Sequence, residues 1–201
     1  AGASLIIQRP GTAVSADTFG FNTSGALFTV SGGNLQSGGQ TFATFTNTGG
    51  VLTISFTSSA TAATTALVND IAQRITYRSD TPAGDATLRF TLSDGMASST
   101  ADVTVTSNTI HVTATGDAQS DGIANGVTLR EAITIANAQA GADTIILPAS
   151  LAGQTVTLGS ALTISEAVTI DADAAPGVII AGTGITANAA LTIINGSGDS
   201  A

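Results

Sequence analysis

Residues 64–95 read TTALVNDIAQRITYRSDTPAGDATLRFTLSDG, and the hydrophobic period changes part-way along this stretch. Leu67 and Ile71 are four residues apart, which places them on one face of a short helix. From Ile75 onward apolar and polar residues alternate, which predicts a strand, and the turn cluster SDTPAGD separates it from a second strand. We expect these two strands to pair. Because a lone pair of strands is not stable in water, the rest of the chain must supply a sheet and its cover.

The cations of this stretch fall on the polar side of the two predicted strands. Arg74, Arg78 and Arg89 are expected to share the outward face of the strand pair. A solvated face is the simplest interpretation, and pairing with Asp70 or Asp85 is the alternative.

The preceding residues also favour strands. Short alternating segments with Gly-rich turns about every ten residues occupy residues 4–56, a pattern typical of an all-β sandwich. The alternating segment ADVTVT at residues 101–106 is a closing strand. We therefore predict a first domain at residues 1–108, with the boundary at Asn108 and no flexible linker.

The same half of the chain resembles a known family. ALVNDIAQRITYRSDTPAGDATLRFTLSDG, with SLIIQRPGTAVSADTFGF and GGNLQSGGQTFATFTNTGGVLTISFTSSAT before it, is similar to the cadherin-like repeats of giant secreted bacterial surface proteins. Those proteins are calcium-binding, hemolysin-type adhesins exported by type I secretion. The resemblance covers roughly the first half of the chain. It implies an extracellular cadherin/Ig-like β-sandwich in a long stalk at the bacterial cell surface, and it identifies no ligand.

The second half opens with a helix signal. Thr128, Leu129, Arg130 and Glu131 form a capping box, in which the Thr128 hydroxyl accepts from the Glu131 amide and the Glu131 side chain returns to the Thr128 amide. Leu129 and Ile133 belong to the apolar stripe of the predicted helix.

A repeat follows this helix. Apolar residues recur with glycine at a corner and a period of about 23 residues, which indicates a stacked solenoid. Three short strands per period favour a right-handed parallel β-helix over residues 109–201, with coils from about residue 143 and the helix as its N-terminal cap. The alignment pairs Ile145 with Val168 and Leu191, Leu147 with Ile170 and Ile193, Val156 with Ile179, Gly159 with Gly182, and Leu162 with Ile185.

The cap carries a second resemblance. VTLREAITIANAQAGADTIILP is similar to the leucine-arginine-glutamate-alanine-isoleucine opening of many bacterial surface β-helix domains, over residues 116–173. The chain has no Cys, so the disulfide sometimes placed before that helix is excluded.

The charge composition argues against nucleic acids and anionic membranes as partners. With 14 acidic residues, five arginines and a net charge of −9, the chain lacks the clustered cations that nucleic acids and anionic membranes require. It has no apolar run of eighteen residues and no basic segment followed by an apolar one, so we expect neither membrane insertion nor a signal peptide.

Two sets of acidic residues are candidate calcium ligands. Asp117, Asp121 and Asn125 share one polar loop, although the spacing is not that of an EF-hand. A solvated loop whose acids complement the helix N-terminus is the alternative. Asp80 and Asp94 lie at turns, where the cadherin-like resemblance implies calcium clamps between modules and Asx-turns are the competing interpretation.

Catalysis is not expected. Asp171 and Asp173 follow a strand of the repeat, but no acid cluster builds up in the aligned positions of the neighbouring coils. His111 is the single histidine, and without Cys or a second His it cannot anchor a zinc site.

The function expected from these patterns is structural. The chain is interpreted as a segment of a large secreted bacterial surface protein that serves as an adhesin stalk, a surface-layer subunit or a filament subunit. The expected partners are other copies of the chain or neighbouring modules of the same long chain, and surface polysaccharide is a further candidate partner. A carbohydrate-binding or polysaccharide-cleaving β-helix is the alternative, although aromatic residues are missing after Phe90. An open strand edge could pair with another chain. That edge consists of Leu191, Thr192, Ile193 and Ile194.

Overall fold

The computed structural model describes residues 2–58, 60–117, 126–182 and 184–194, and these are folded mainly as β-strands. Contacts divide the chain into two compact units. Unit 1 comprises Ala1–Asp80 and Thr87–Val105, and unit 2 comprises Thr81–Ala86 and Thr106–Ala201. The predicted boundary is a single one, at Asn108. The observed division differs because the turn at residues 81–86 belongs to unit 2. The His111 amide donates to Pro82 O over 2.7 Å.

Unit 1 contains two sheets and one helix. Seven strands form one sheet in the order β3-β4-β5-β6-β1-β8-β9, and β2 and β7 form a second, antiparallel pair. The elements are β1 (Ser4–Gln8), β2 (Asp17–Phe21), β3 (Thr29–Ser31), β4 (Asn34–Ser37), β5 (Gln40–Thr48), β6 (Val51–Phe56), α1 (Thr65–Gln73), β7 (Ile75–Ser79), β8 (Ala86–Ser93) and β9 (Ser98–Val105).

The two strands of the 64–95 stretch do not pair with each other, so that expectation is wrong. β7 pairs with β2, which sets Tyr77 opposite Phe19, whereas β8 pairs with β1, which sets Phe90 opposite Ile7. Alternation along a strand defines which face is buried, but it does not define the partner strand.

The three arginines do not share one outward face either. Arg74 is the C-cap of α1, and its guanidinium binds Asp70 at 2.7 Å. Arg78 lies in β7 and Arg89 in β8, and these strands belong to different sheets. Arg89 binds Asp102 in β9 at 2.7 Å.

The core of unit 1 includes inward residues of both sheets and of α1. Thr64 caps that helix by accepting from the Leu67 amide, and Leu67 and Ile71 are buried as their spacing predicts. Phe21 packs edge-on against Phe28 and Phe45. The residues of this core with 0% exposure are Ile7, Leu35, Phe42, Ala43, Leu52, Ile54 and Ile71.

Unit 2 is built on parallel strand pairs. Four strands pair in the order β10-β11-β14-β17, and two further pairs are β12-β15 and β13-β16. The elements are β10 (Thr109–His111), α2 (Leu129–Ala138), β11 (Asp143–Ile146), a 3-10 turn (Ala149–Leu151), β12 (Thr155–Leu158), β13 (Leu162–Ile164), β14 (Val168–Asp171), β15 (Ile179–Gly182), β16 (Ile185–Ala187) and β17 (Leu191–Ile194).

The register agrees with the uniform period in part of the coils only. Val168 pairs with Leu191 and Leu162 with Ile185, as the alignment predicts. Ile145 instead pairs with Ile170, which lies two positions beyond the predicted partner Val168. The uniform period is therefore wrong for the first strand of the first coil.

The intermediate ladder shows the cause of the difference. Val156 pairs with Ile180, one position beyond the predicted Ile179, and Leu158 pairs with Gly182. The offset from the predicted partner is two positions for Ile145, one for Val156 and zero for Leu162. It decreases because each of the first two corners is one residue longer in the first coil than in the second. The corners compared are residues 147–154 with 172–178, and residues 159–161 with 183–184.

Candidate functional site

Each residue of the LREAI segment, residues 129–133 at the start of α2, has a defined contact or is buried. The Thr128 hydroxyl accepts from the Glu131 amide (3.2 Å), and the Glu131 carboxylate accepts from the Thr128 amide (2.9 Å), so both bonds of the expected capping box are present. Leu129 and Ala132 are fully buried, and Ile133 is 2% exposed. The helix therefore packs its first turn into the core of unit 2.

Arg130 connects this helix to the second corner of the first coil, residues 159–161. Its guanidinium donates to both carboxylate oxygens of Asp117 (2.7 and 3.0 Å) and to the carbonyl oxygen of Ser160 (2.7 Å). The Gly159 amide donates to Asp117 as well (2.6 Å). The hydrogen bond from Arg130 lowers the pKa of the Asp117 carboxyl, partial burial opposes this, and the Gly159 amide adds to the lowering.

Residues near α2 also satisfy backbone groups on the outer edges of the first coil. Asn137 donates to the carbonyl oxygen of Thr163 (2.7 Å), and its own amide oxygen accepts from the Ser165 amide (2.8 Å). The Thr157 amide of β12 donates to the Thr115 carbonyl oxygen (3.0 Å). These groups lie on the sides of β12 and β13 that face away from β15 and β16, so this end of the coils is covered.

The opposite end is open within the described part of the chain. β15, β16 and β17 are the last strands of their ladders, and no described strand pairs with their outer sides. Ile110, Ile145 and Ile170 form a column of fully buried side chains, and Ile193 continues this column. Ile193 is 60% exposed, because no described coil covers it.

The candidate calcium ligands have protein donors where the structure describes them. Asp94 accepts from the amides of Met96 and Ala97 (both 2.8 Å), as in an Asx-turn, and these bonds lower its pKa. Asp80 pairs with the neighbouring Arg78.

Asp117 is held by Arg130, as above, whereas Asp121 and Asn125 lie outside the described residues. Calcium at these positions stays a prediction, and the ion would have to replace the protein donors of Asp80, Asp94 and Asp117.

Asp171 and His111 lie at the same register position of one ladder, on either side of Ile146, and they form no joint site among the described residues. The Asp171 carboxylate accepts from the Asp173 amide (3.0 Å), and its strand register places it beside Ile146 and Ile194. His111 is partly buried, which lowers its pKa. No group of three or more His, Asp or Glu side chains that could hold a metal ion is present among the described residues.

One buried ionic cluster in unit 1 has no signal in the local sequence. Arg9 donates to both oxygens of Asp17 (2.7 and 3.1 Å) and to the Tyr77 hydroxyl (2.9 Å), which in turn donates to Asp17 (2.9 Å). The Asp17 side chain has no exposed surface. Burial is the largest cause that raises the pKa of Tyr77. The cluster joins a loop to a strand pair and acts as a structural element.

Unit 1 also has an open groove of about 820 Å³ beside α1. Its walls include Phe56, Val68 and Leu92, and Asp94 is the single ionisable side chain among the described residues that line it. The Asp94 carboxylate is already bound by two amides. The other polar side chains of the lining are uncharged, and they are Thr57, Ser58, Thr65, Asn69, Ser93, Ser98 and Ser99.

A second buried carboxylate lies in unit 2. Asp143 is 2% exposed, and neither of its carboxylate oxygens has a hydrogen-bond partner within the described residues. Its position in β11 matches an apolar residue in both later coils, so the repeat pattern does not explain it.

Comparisons with protein-family models, curated proteins and solved structures found no match to the chain. Neither described helix is long and apolar enough to cross a membrane.

Proposed function

We propose that the chain is a structural segment of a large secreted bacterial surface protein. In this proposal unit 1 is a cadherin/Ig-like β-sandwich, and unit 2 is the capped start of a right-handed parallel β-helix. The two sheets with a shared core support the first part, and the three parallel ladders with coils of nearly equal length support the second. The sequence resemblances to bacterial surface proteins supply the extracellular location.

The open end of unit 2 is the observation that carries the associative part of the proposal. Three isoleucines of one column are fully buried, whereas Ile193 is 60% exposed at the edge of the same ladder. Burying one such side chain stabilises a contact by about 1.5–3 kcal/mol relative to leaving it in water. The outer side of β17, with which no described strand pairs, adds hydrogen-bonding capacity for another strand. The proposed partner is a second copy of this chain, which places the same open edge opposite its own.

The experiment is a measurement of solution mass by light scattering, with negative-stain microscopy of the same samples. The wild-type chain is expected to self-associate, and Ile193→Lys is expected to be a monomer because it places a charge in the apolar contact. Met96→Lys is the matched control, since Met96 is 97% exposed but lies in a turn of unit 1. A wild-type monomer at all concentrations, or equal association of the Ile193→Lys variant, would refute the associative role.

A further inference from the structure

Asp143 occupies a position that the coils otherwise fill with apolar side chains. The register places it beside Val168, which in turn lies beside Leu191. β11 alternates buried and partly exposed residues, so Asp143 points to the same side as the buried Ile145. A buried carboxylate without hydrogen bonds or an opposite charge is destabilising, so Asp143 either takes up a proton or binds a partner that is not among the described residues.

No basic side chain among the described residues pairs with Asp143. Unit 2 contains one arginine, Arg130, and it is bound to Asp117. The acidic residues of unit 2 are Asp85, Asp117, Asp121, Glu131, Asp143, Glu166, Asp171, Asp173 and Asp199. Burial raises the pKa of Asp143, and the charges of Asp85 and Glu166 raise it further. Asp143 is therefore in a region with an excess of negative charge.

A second orphaned oxygen belongs to Gln139, whose side chain contacts Asp85. Gln139 donates its amide nitrogen to Asp85 (3.0 Å) and to the Ser107 carbonyl oxygen (3.1 Å), which fixes the orientation of the amide. Its Oε1 is buried and has no hydrogen-bond partner among the described residues. Gly84, with φ +72°, leaves room for this oxygen, because a Cβ at that position would lie 2.1 Å from it.

The chemistry of these groups indicates the class of ligand. Carboxylate and amide oxygens are the ligands preferred by calcium, whereas zinc takes mainly thiolates and imidazoles. We propose that Asp143 and the Gln139 amide oxygen, with Glu166 as a further carboxylate, bind a divalent cation of the calcium type in unit 2. No group of three acidic side chains is preformed around one metal position among the described residues, so the proposal requires the exposed Glu166 side chain to turn toward the ion. Water completes the coordination shell.

The site is separate from the association edge proposed above, because none of its ligands lies in β17. The test is calorimetric titration of the chelator-treated full chain with calcium chloride and with magnesium chloride, together with thermal unfolding in each condition. We expect calcium to bind wild type and raise its melting temperature. Asp143→Asn is expected to bind at least tenfold more weakly and to lose the calcium-dependent shift. Without calcium, Asp143→Asn is expected to melt above wild type, since it removes an unpaired buried charge.

Matched variants separate this site from general electrostatic effects. Asp173→Asn removes an exposed acid of the same unit and is expected to keep the full calcium response. Glu166→Gln and Gln139→Met are expected to weaken binding, and they serve as the test if Asp143→Asn does not fold. The absence of calcium and magnesium binding in wild type would overturn the proposal, as would a full calcium response in Asp143→Asn or, if that variant does not fold, in both other ligand variants.

Discussion

At the scale of single residues, Asp17 shows how much one buried contact can contribute. Its carboxylate accepts from Arg9 and Tyr77 and has no exposed side-chain surface. Asp17→Ala would leave the Arg9 guanidinium without its counterion, a change that typically costs about 3–5 kcal/mol for a buried pair. We expect a clear decrease in the urea midpoint of unit 1. Tyr77 is the single tyrosine of a chain without tryptophan, so its fluorescence reports this transition directly.

The control for Asp17 is an ion pair of similar length on the surface. Arg89 and Asp102 approach to 2.7 Å, but their side chains are 42% and 41% exposed. Arg89→Ala is expected to leave the tyrosine-monitored midpoint within experimental error, because solvent screens exposed pairs. An equal decrease in both variants would show that burial does not determine the contribution of Asp17.

Asp117 makes the stability of unit 2 depend on pH. The bond from Arg130 lowers the pKa of this carboxyl in the folded state below its ordinary value of 3.8. The stabilisation is therefore present above 3.8 and is lost as the pH falls through the folded-state pKa. We expect Asp117→Asn to melt below wild type at neutral pH, and the difference to narrow as the pH falls below 3.8, as followed by circular dichroism. A gap that stays constant over this range would contradict the assigned role of the Arg130 bond.

At the scale of elements, the capping box is the part of α2 that can be tested alone. Thr128→Ala removes the hydroxyl that accepts from the Glu131 amide, and loss of such a cap typically costs about 1 kcal/mol. Amide exchange over the first turn of α2 is expected to become faster. Thr134→Ala is the control on the same helix, since its hydroxyl donates back to the Arg130 carbonyl oxygen and caps nothing. Equal exchange in the two variants would indicate that the box does not stabilise the helix.

Elements also show which parts of the fold can be predicted from sequence. The capping box spans four consecutive residues, so its chemistry is local and readable. The pairing of β7 with β2 is not readable, because alternation gives the buried face but not the partner. The register of Ile145 is missed for a related reason. A shift by two positions, from Val168 to Ile170, keeps every side chain on the same face, so only the corner lengths decide between them.

The functional residues likewise fall into those that local sequence patterns predict and those that they do not. The LREAI residues and the open strand are found from periodicity and local motifs. Tyr77 lies 68 residues from Arg9 and 60 from Asp17, and no local pattern predicts that these three side chains meet. The sequence does contain one signal for Asp143, because an acidic residue begins the otherwise uncharged strand β11. It is recognised only once the register shows apolar residues at the same position in both later coils.

At the scale of the whole molecule, the difference between the two ends of unit 2 limits the number of subunits in the proposed assembly. The end beside α2 has its backbone groups bound by Asn137 and Thr115, whereas the end at β17 is open within the described residues. A contact that joins one open edge to the same edge of a second copy is isologous and closes after two subunits. We therefore expect the measured mass to reach a plateau at twice the chain mass as the concentration rises. Ile193→Lys is expected to remove the plateau species, and Met96→Lys to retain it. Filaments seen by microscopy, or a mass that rises without limit, would instead require a second contact surface and would refute closure through β17 alone.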